Sequence, residues 1–191
     1  MLDKKEFSKI GKEISEIDKQ REVLIKKSRD VLKLSKQLIY ALHRNNISES
    51  NTLLSKVKNE KQNLDKIANK YKKLVYEGSY SEALQEYVEA LIYYTFIKEN
   101  KIPTRDSLKV NTEDYLMGIC DLTGELTRRA VALTVKRDFK AVSKIKDIIE
   151  EIYGEFLKFN LRNSNLRKKS DSIKWNFKKI EEIMYDITKV K

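Results

Sequence analysis

Two carboxylates stand in an otherwise apolar helical segment, LQEYVEALIYYTFI at residues 84–97. At 100° per residue, Glu86 and Glu89 share one narrow helix face with Glu82, and Tyr93 continues it. An unpaired charge is costly to bury, so carboxylates in such a setting need counter-charges or a bound cation.

A second segment, YLMGICDLTGELTRRAVALTV at residues 115–135, repeats this pattern. Its charged side chains also share one helix face, and they are Asp121, Glu125, Arg128 and Arg129. Asp114 lies two further turns back on the same helix. The two segments together could therefore bring several carboxylates to one place.

The pattern permits two interpretations. In the structural one, Asp121 or Glu125 pairs with Arg128 or Arg129, and the glutamates meet lysines of another helix. In the chemical one, oxygen ligands from two helices hold Mg²⁺ or Mn²⁺, hard cations that prefer carboxylates. Such ions activate water and stabilise the charge that develops during phosphodiester displacement. Spacing alone leaves both open.

Helices must position these groups. The first segment carries a heptad-like apolar stripe to about Arg44, and its members are Phe7, Ile10, Ile14, Ile17, Leu24, Val31, Leu38 and Leu42. A second periodic stretch, from Leu53 to about Tyr76, predicts an antiparallel helical hairpin with the first. The stripes extend beyond the needs of one bundle, which suggests oligomerisation.

Further helices are predicted over residues 81–99, from a cap at Asn111 or Thr112 to about 136, and over 139–159, with a last helix around 173–187. Residues 100–111, which include Pro103, are predicted to form a loop. We expect an all-α single domain over residues 1–191, a bundle of about six to seven helices.

Composition narrows the function classes. The net charge of +11 points to nucleic acid as a partner, although lysine-rich helices also serve simply as solvated faces. One Cys and one His cannot form a disulfide framework or a zinc cage. No apolar run is long enough to span a membrane. We therefore expect a soluble, cytoplasmic protein without membrane contact.

Several segments resemble the translin family, and most closely its catalytic branch, translin-associated factor X. The likeness rests on LQEYVEA at 84–90 and DYLMGICDLTGEL at 114–126. It extends to KSRDVLKLSKQLIYALHR at 27–44 and, weakly, through FKAVSKIKDIIEEIYGEF at 139–156 to the last helix. The two carboxylate segments are specific in combination.

This resemblance implies an all-α fold of about seven helices, a hollow and roughly octameric homo-oligomer, and RNA cleavage inside it. Carried over by residue, the catalytic and metal-binding carboxylates are Glu86, Glu89, Asp121 and Glu125. We expect a Mg²⁺-dependent (or Mn²⁺-dependent) endoribonuclease acting on single-stranded RNA, with single-stranded DNA as a further substrate. The alternative is a non-catalytic oligomer that binds single-stranded nucleic acid.

The chain departs from the family before the third helix, where YEGSYSEA at 76–83 lacks the family's basic residues. Binding would then fall to other bases: Arg29, Lys33, Lys36, Arg44, Arg128 and Arg129, with Arg162, Arg167, Lys168 and Lys169 as further candidates. Packing is the expected role of the remaining notable side chains, which are Tyr87, Tyr93, Phe96 and Cys120. His43 is expected to form a hydrogen bond beside the hairpin turn.

Overall fold

The computed structural model describes residues 2–190, and only the backbone of Val190. Across that range it contains α-helices, one 3₁₀ turn at Leu74–Tyr76 and no strand, which confirms the all-α prediction. The helices are α1 Lys4–His43, α2 Ile47–Ala68, α3 Gly78–Glu99, α4 Arg105–Leu108, α5 Thr112–Val135, α6 Phe139–Leu157 and α7 Asn165–Val190.

The predicted hairpin of α1 and α2 is present. Its turn uses Asn45 in the left-handed region, at φ 56°, and Asn46 caps α2 by accepting a hydrogen bond from the backbone N–H of Glu49. The second helix was predicted to reach Tyr76, which is wrong, since α2 ends at Ala68. Leu74 is nevertheless buried because the 3₁₀ turn directs it to the core, so the apolar spacing continues past the helix end.

The first half of α1 carries exposed apolar side chains. Phe7, Ile10 and Ile14 are 57%, 41% and 55% exposed, whereas the same stripe is fully buried from Leu24 onward. The α1 helix therefore extends beyond the packed body with its apolar face uncovered.

The loop predicted at residues 100–111 contains the short helix α4, which the sequence did not indicate. Thr104 caps α4, and the chain leaves this helix through Lys109 at φ 53°. Asn111 then caps α5 by accepting a hydrogen bond from the backbone N–H of Asp114, as predicted.

Helices α3 and α5 lie at the centre of the molecule. The α3 helix packs against α1 and α5, and α5 packs also against α6 and α7. Their apolar side chains belong to a buried cluster that includes Tyr87, Tyr93 and Cys120, as predicted, while Phe96 packs at its edge. Nowhere in residues 2–190 does a helix combine the length and apolarity needed to cross a bilayer.

Candidate active site

Four carboxylates converge in one cavity. The cavity has a volume of about 700 Å³ and lies where α3, α5, α1 and α7 meet. Its lining comprises Lys36, Ile39, Tyr40, Glu86, Glu89, Asp121, Glu125, Arg128 and Lys169. The four acidic residues that the sequence singled out are thus brought together.

A close contact between α3 and α5 makes this convergence possible. Gly118 faces Val88, and a Cβ atom at position 118 would lie 2.5 Å from Val88 Cγ1 and 3.0 Å from the Gln85 carbonyl oxygen. Only glycine permits that approach, because any side chain would collide with backbone and core atoms. Glu89 directly follows Val88 on α3, and Asp121 lies about one turn beyond Gly118 on α5.

Glu89 is the most buried of the four carboxylates, at 7% exposure. Burial, together with the nearby carboxylates of Asp121, Glu86 and Glu125, raises the pKa of Glu89 to about 9. Within residues 2–190, no hydrogen bond or ion pair reaches its carboxyl group. Glu89 is therefore neutral at pH 7 in this arrangement.

The other three carboxylates each meet a base. Asp121 Oδ2 lies 2.5 Å from Lys169 Nζ, and Glu86 Oε1 lies 3.4 Å from Lys36 Nζ. Glu125 Oε2 lies 3.7 Å from Arg128 Nη1. The structure thus contains the ion pairs of the structural interpretation together with the convergence of the chemical one.

The lysines only partly offset the effect of burial on these acids. Burial raises the pKa of Asp121, and Lys169 opposes that rise. Burial likewise raises the pKa of Glu86, and Lys36 opposes it. Both acids therefore gain proton affinity from the cavity.

His43 belongs to the site, although the sequence suggested only a hydrogen bond at the hairpin turn. Its Nε2 bonds to Glu125 Oε2, and its Nδ1 lies 3.2 Å from the Tyr93 hydroxyl. Because an ionised carboxylate only accepts, Nε2 donates to an ionised Glu125, and in the neutral imidazole Nδ1 then accepts from the Tyr93 hydroxyl. Helical spacing is the sequence feature that could have placed His43 in the site, since Lys36, Tyr40 and His43 share one face of α1.

The predicted basic residues divide by position. Lys36, Arg128 and Lys169 line the cavity. Arg129 donates to the Leu42 carbonyl and Asn45 Oδ1, at 3.4 and 3.3 Å, and so closes the end of α1. The rest are exposed outside the cavity lining: Arg29, Lys33, Arg44, Arg162, Arg167 and Lys168.

Two acidic residues on the predicted faces stay outside the cavity. Glu82 is exposed to solvent. Asp114 is 2% exposed and accepts hydrogen bonds from Ser81, Gln85 and Asn111. Asp114 therefore fastens the start of α5 to α3.

The donor set suits a hard divalent cation. Carboxylate oxygens are the ligands that Mg²⁺ and Mn²⁺ prefer, and Glu89 offers a buried carboxyl group with no partner in the described residues. Across residues 2–190, however, no group of three or more Asp, Glu, His or Cys side chains is arranged to hold a metal ion. The ammonium groups of Lys36 and Lys169 lie against two of the four acids. Binding a cation would require these lysines to withdraw.

Comparison with known proteins covers nearly the whole chain. The model of the Translin family matches residues 19–189. Translin of Gallus gallus is 39% identical over 79 residues, which are 41% of this chain and 34% of that protein. The matched part thus spans about a third of this relative's length.

Two solved structures share the fold along nearly their full length. The crystal structure of apo-NeC3PO superposes with a TM-score of 0.88 at 30% identity, covering 97% of both chains. The structure of an AfC3PO–duplex RNA complex superposes with a TM-score of 0.83 at 25% identity, also covering 97% of both chains.

Proposed function

Because the chain belongs to the Translin family, we propose that it is a Mg²⁺-dependent or Mn²⁺-dependent endoribonuclease that cleaves single-stranded RNA, and also single-stranded DNA, inside an oligomeric shell. The observation that carries this proposal is the convergence of Glu86, Glu89, Asp121 and Glu125 in one cavity. The resemblance in sequence assigns catalysis to these same four positions.

The four acids share one role in the proposed reaction. The divalent cation would be held by Glu86, Glu89, Asp121 and Glu125. The bound cation would supply an activated water and neutralise charge that develops on the phosphate. The burial of Glu89 strengthens its electrostatic interactions, since the surroundings screen charge weakly. His43 orients Glu125 through its hydrogen bond.

Basic side chains would guide the RNA backbone to the cavity. Lys36 and Arg128 line it, and Arg29, Lys33 and Arg44 are exposed on the same helix as Lys36. With a net charge of +11, the chain should bind RNA in a strongly salt-dependent way. The AfC3PO structure, which contains duplex RNA, supports RNA as the polyanion.

The decisive experiment is cleavage of a labelled single-stranded RNA by the assembled protein in Mg²⁺ and in chelator. We expect cleavage only with metal, and a loss on the order of 10²-fold or more in Glu89→Gln and Asp121→Asn. Glu82→Gln is the matched control, because Glu82 is an exposed carboxylate on the same helix as Glu89. Circular dichroism and sedimentation verify fold and assembly.

A second function, binding without cleavage, has its own support. Glu86, Asp121 and Glu125 are each paired with a base, as in a bundle whose helices are held together by ion pairs. A protein of this kind would bind RNA equally well in chelator and leave it intact in every metal tested. That result, obtained with correctly assembled protein, would replace the endoribonuclease proposal.

A further inference from the structure

Lys169 reaches the carboxylate site from a helix that contributes no acid to it. It lies on α7, while the four carboxylates lie on α3 and α5. Its Nζ atom is 2.5 Å from Asp121 Oδ2, and both side chains are largely shielded, at 27% and 29% exposure. The ion pair therefore joins α7 to the centre of the site.

The Lys169 ammonium also has a neutral partner that is held in a fixed orientation. Gln85 Oε1 accepts a hydrogen bond from Lys169 Nζ at 3.3 Å. The Gln85 amide group is turned this way because its Nε2 donates to Ser81 Oγ at 2.9 Å and to Asp114 Oδ1 at 3.2 Å. Buried Asp114 thus sets the direction of Gln85, and Gln85 helps to hold Lys169 over Asp121.

Three of the four acids each have a base beside them in this arrangement. Lys36 pairs with Glu86, Lys169 with Asp121 and Arg128 with Glu125, and no base in the described residues contacts Glu89. The oxygen of Asp121 that contacts Lys169 cannot also take a cation at bonding distance, because two positive charges would then lie within a few ångströms of each other. Cation binding and the Lys169–Asp121 pair therefore exclude each other.

We infer that Lys169 is an exchangeable counter-ion of this site. Its ammonium neutralises Asp121 while no divalent cation is bound, and it leaves Asp121 for a phosphate of the RNA when the carboxylates hold a cation. The inference rests on the proposed function. Lysine suits this exchange, since its ammonium is a compact point charge on a flexible stem and is a common phosphate ligand.

The first test measures metal affinity by titration calorimetry with Mn²⁺ alone. Lys169→Met removes the competing charge, so we expect it to bind Mn²⁺ about tenfold more tightly than the wild type. Lys178→Met, which removes an equal charge from an exposed position of α7, should bind Mn²⁺ like the wild type. Lys169→Gln keeps a hydrogen-bond donor beside Asp121 and serves if the methionine variant does not fold.

The second test compares the salt dependence of RNA binding with and without Ca²⁺, used as a divalent cation. If Lys169 turns to a phosphate only after cation binding, Lys169→Met should reduce the magnitude of the negative slope of log K against log salt by about 0.7 in Ca²⁺ and leave it unchanged in chelator. Lys169→Arg, which retains the charge, should keep the wild-type slope.

The two proposals fail in different ways. Unchanged Mn²⁺ affinity in Lys169→Met, or an equal change of slope with and without Ca²⁺, overturns the exchange while wild-type cleavage in Mg²⁺ still stands. A wild-type protein that binds no divalent cation and cleaves no RNA overturns the proposed function, and the exchange with it.

Discussion

At the scale of single residues, Glu89 links stability to pH. Its pKa is about 9 in the folded protein and lies near 4.5 in an unfolded chain. Between these values the folded state binds more protons than the unfolded state, so the free energy of unfolding falls as pH rises. The raised pKa values of Glu86 and Asp121 act in the same direction.

Replacing Glu89 by Gln should therefore stabilise the metal-free protein at neutral and alkaline pH. At pH 7 the ionisation of Glu89 in the unfolded chain lowers the free energy of unfolding by about 3 kcal/mol, at about 1.36 kcal/mol for each pH unit above the unfolded pKa. We expect the free energy of unfolding of Glu89→Gln to exceed that of the wild type by about 1–3 kcal/mol at pH 7. The difference should vanish near pH 4.5. Urea unfolding in chelator across this pH range measures it.

Glu82→Gln provides the comparison for this prediction, since Glu82 is exposed on the same helix. It should leave the pH dependence of stability unchanged. A Glu89→Gln variant with the same pH dependence as the wild type would mean that Glu89 ionises normally in the folded protein.

At the scale of elements, the contact between α3 and α5 sets the spacing of the carboxylates. Two of the four cavity acids lie on each of these helices, so the distance between the helix axes determines how closely these acids approach. Gly118 determines that distance, because its missing side chain leaves room for Val88. The glycine thus has a functional consequence although it lines no part of the cavity.

Gly118→Ala should push the two helices apart. Overpacking at a well-packed contact costs about 1–3 kcal/mol, and the wider spacing should also weaken RNA cleavage at temperatures where the variant remains folded. Thermal unfolding and cleavage of single-stranded RNA measure the two effects.

Gly154→Ala is the control, because a Cβ atom at position 154 in α6 would meet open space. It should stabilise the protein by about 0.5–1 kcal/mol through helix propensity alone. Equal stability of the two alanine variants would show that α3 and α5 adapt to a larger residue at position 118.

At the scale of the whole molecule, the N-terminal half of α1 provides surface for self-association. Phe7, Ile10 and Ile14 form a continuous apolar stripe that the single chain leaves exposed. Contiguous apolar surface of this kind marks contacts between proteins. In the proposed shell, neighbouring copies would cover it.

The double variant Phe7→Ser/Ile14→Ser should therefore weaken assembly. Burying each of these side chains stabilises a contact by about 1.5–3 kcal/mol, so their joint loss should raise the dissociation constant at least about a hundredfold. Sedimentation velocity over a range of protein concentrations measures the change. Tyr76→Ser, at a position that is 86% exposed and outside the stripe, should assemble normally. Unchanged assembly of the double variant would place the contact between copies elsewhere.

The spacing of residues along the chain was enough to predict the helices, one helix cap and the candidate site carboxylates. The apolar periodicity predicted the helices and the hairpin, and Asn111 was recognisable as the cap of α5. The two carboxylate pairs stood out because each lies in an apolar helix that must be buried. These features follow from interactions within a few residues, which the order of amino acids specifies directly.

Tertiary packing decided which of those groups meet. Asp114 lies two turns before Asp121 on the same helix, yet it contacts Ser81 outside the cavity. His43 and Lys169 are 126 positions apart in the sequence, and they join the site because α1 packs on α3 and α7 packs on α5. The spacing of residues in a sequence predicts which side chains share a helix face. Only the packing of helices that are distant in sequence determines what that face contacts.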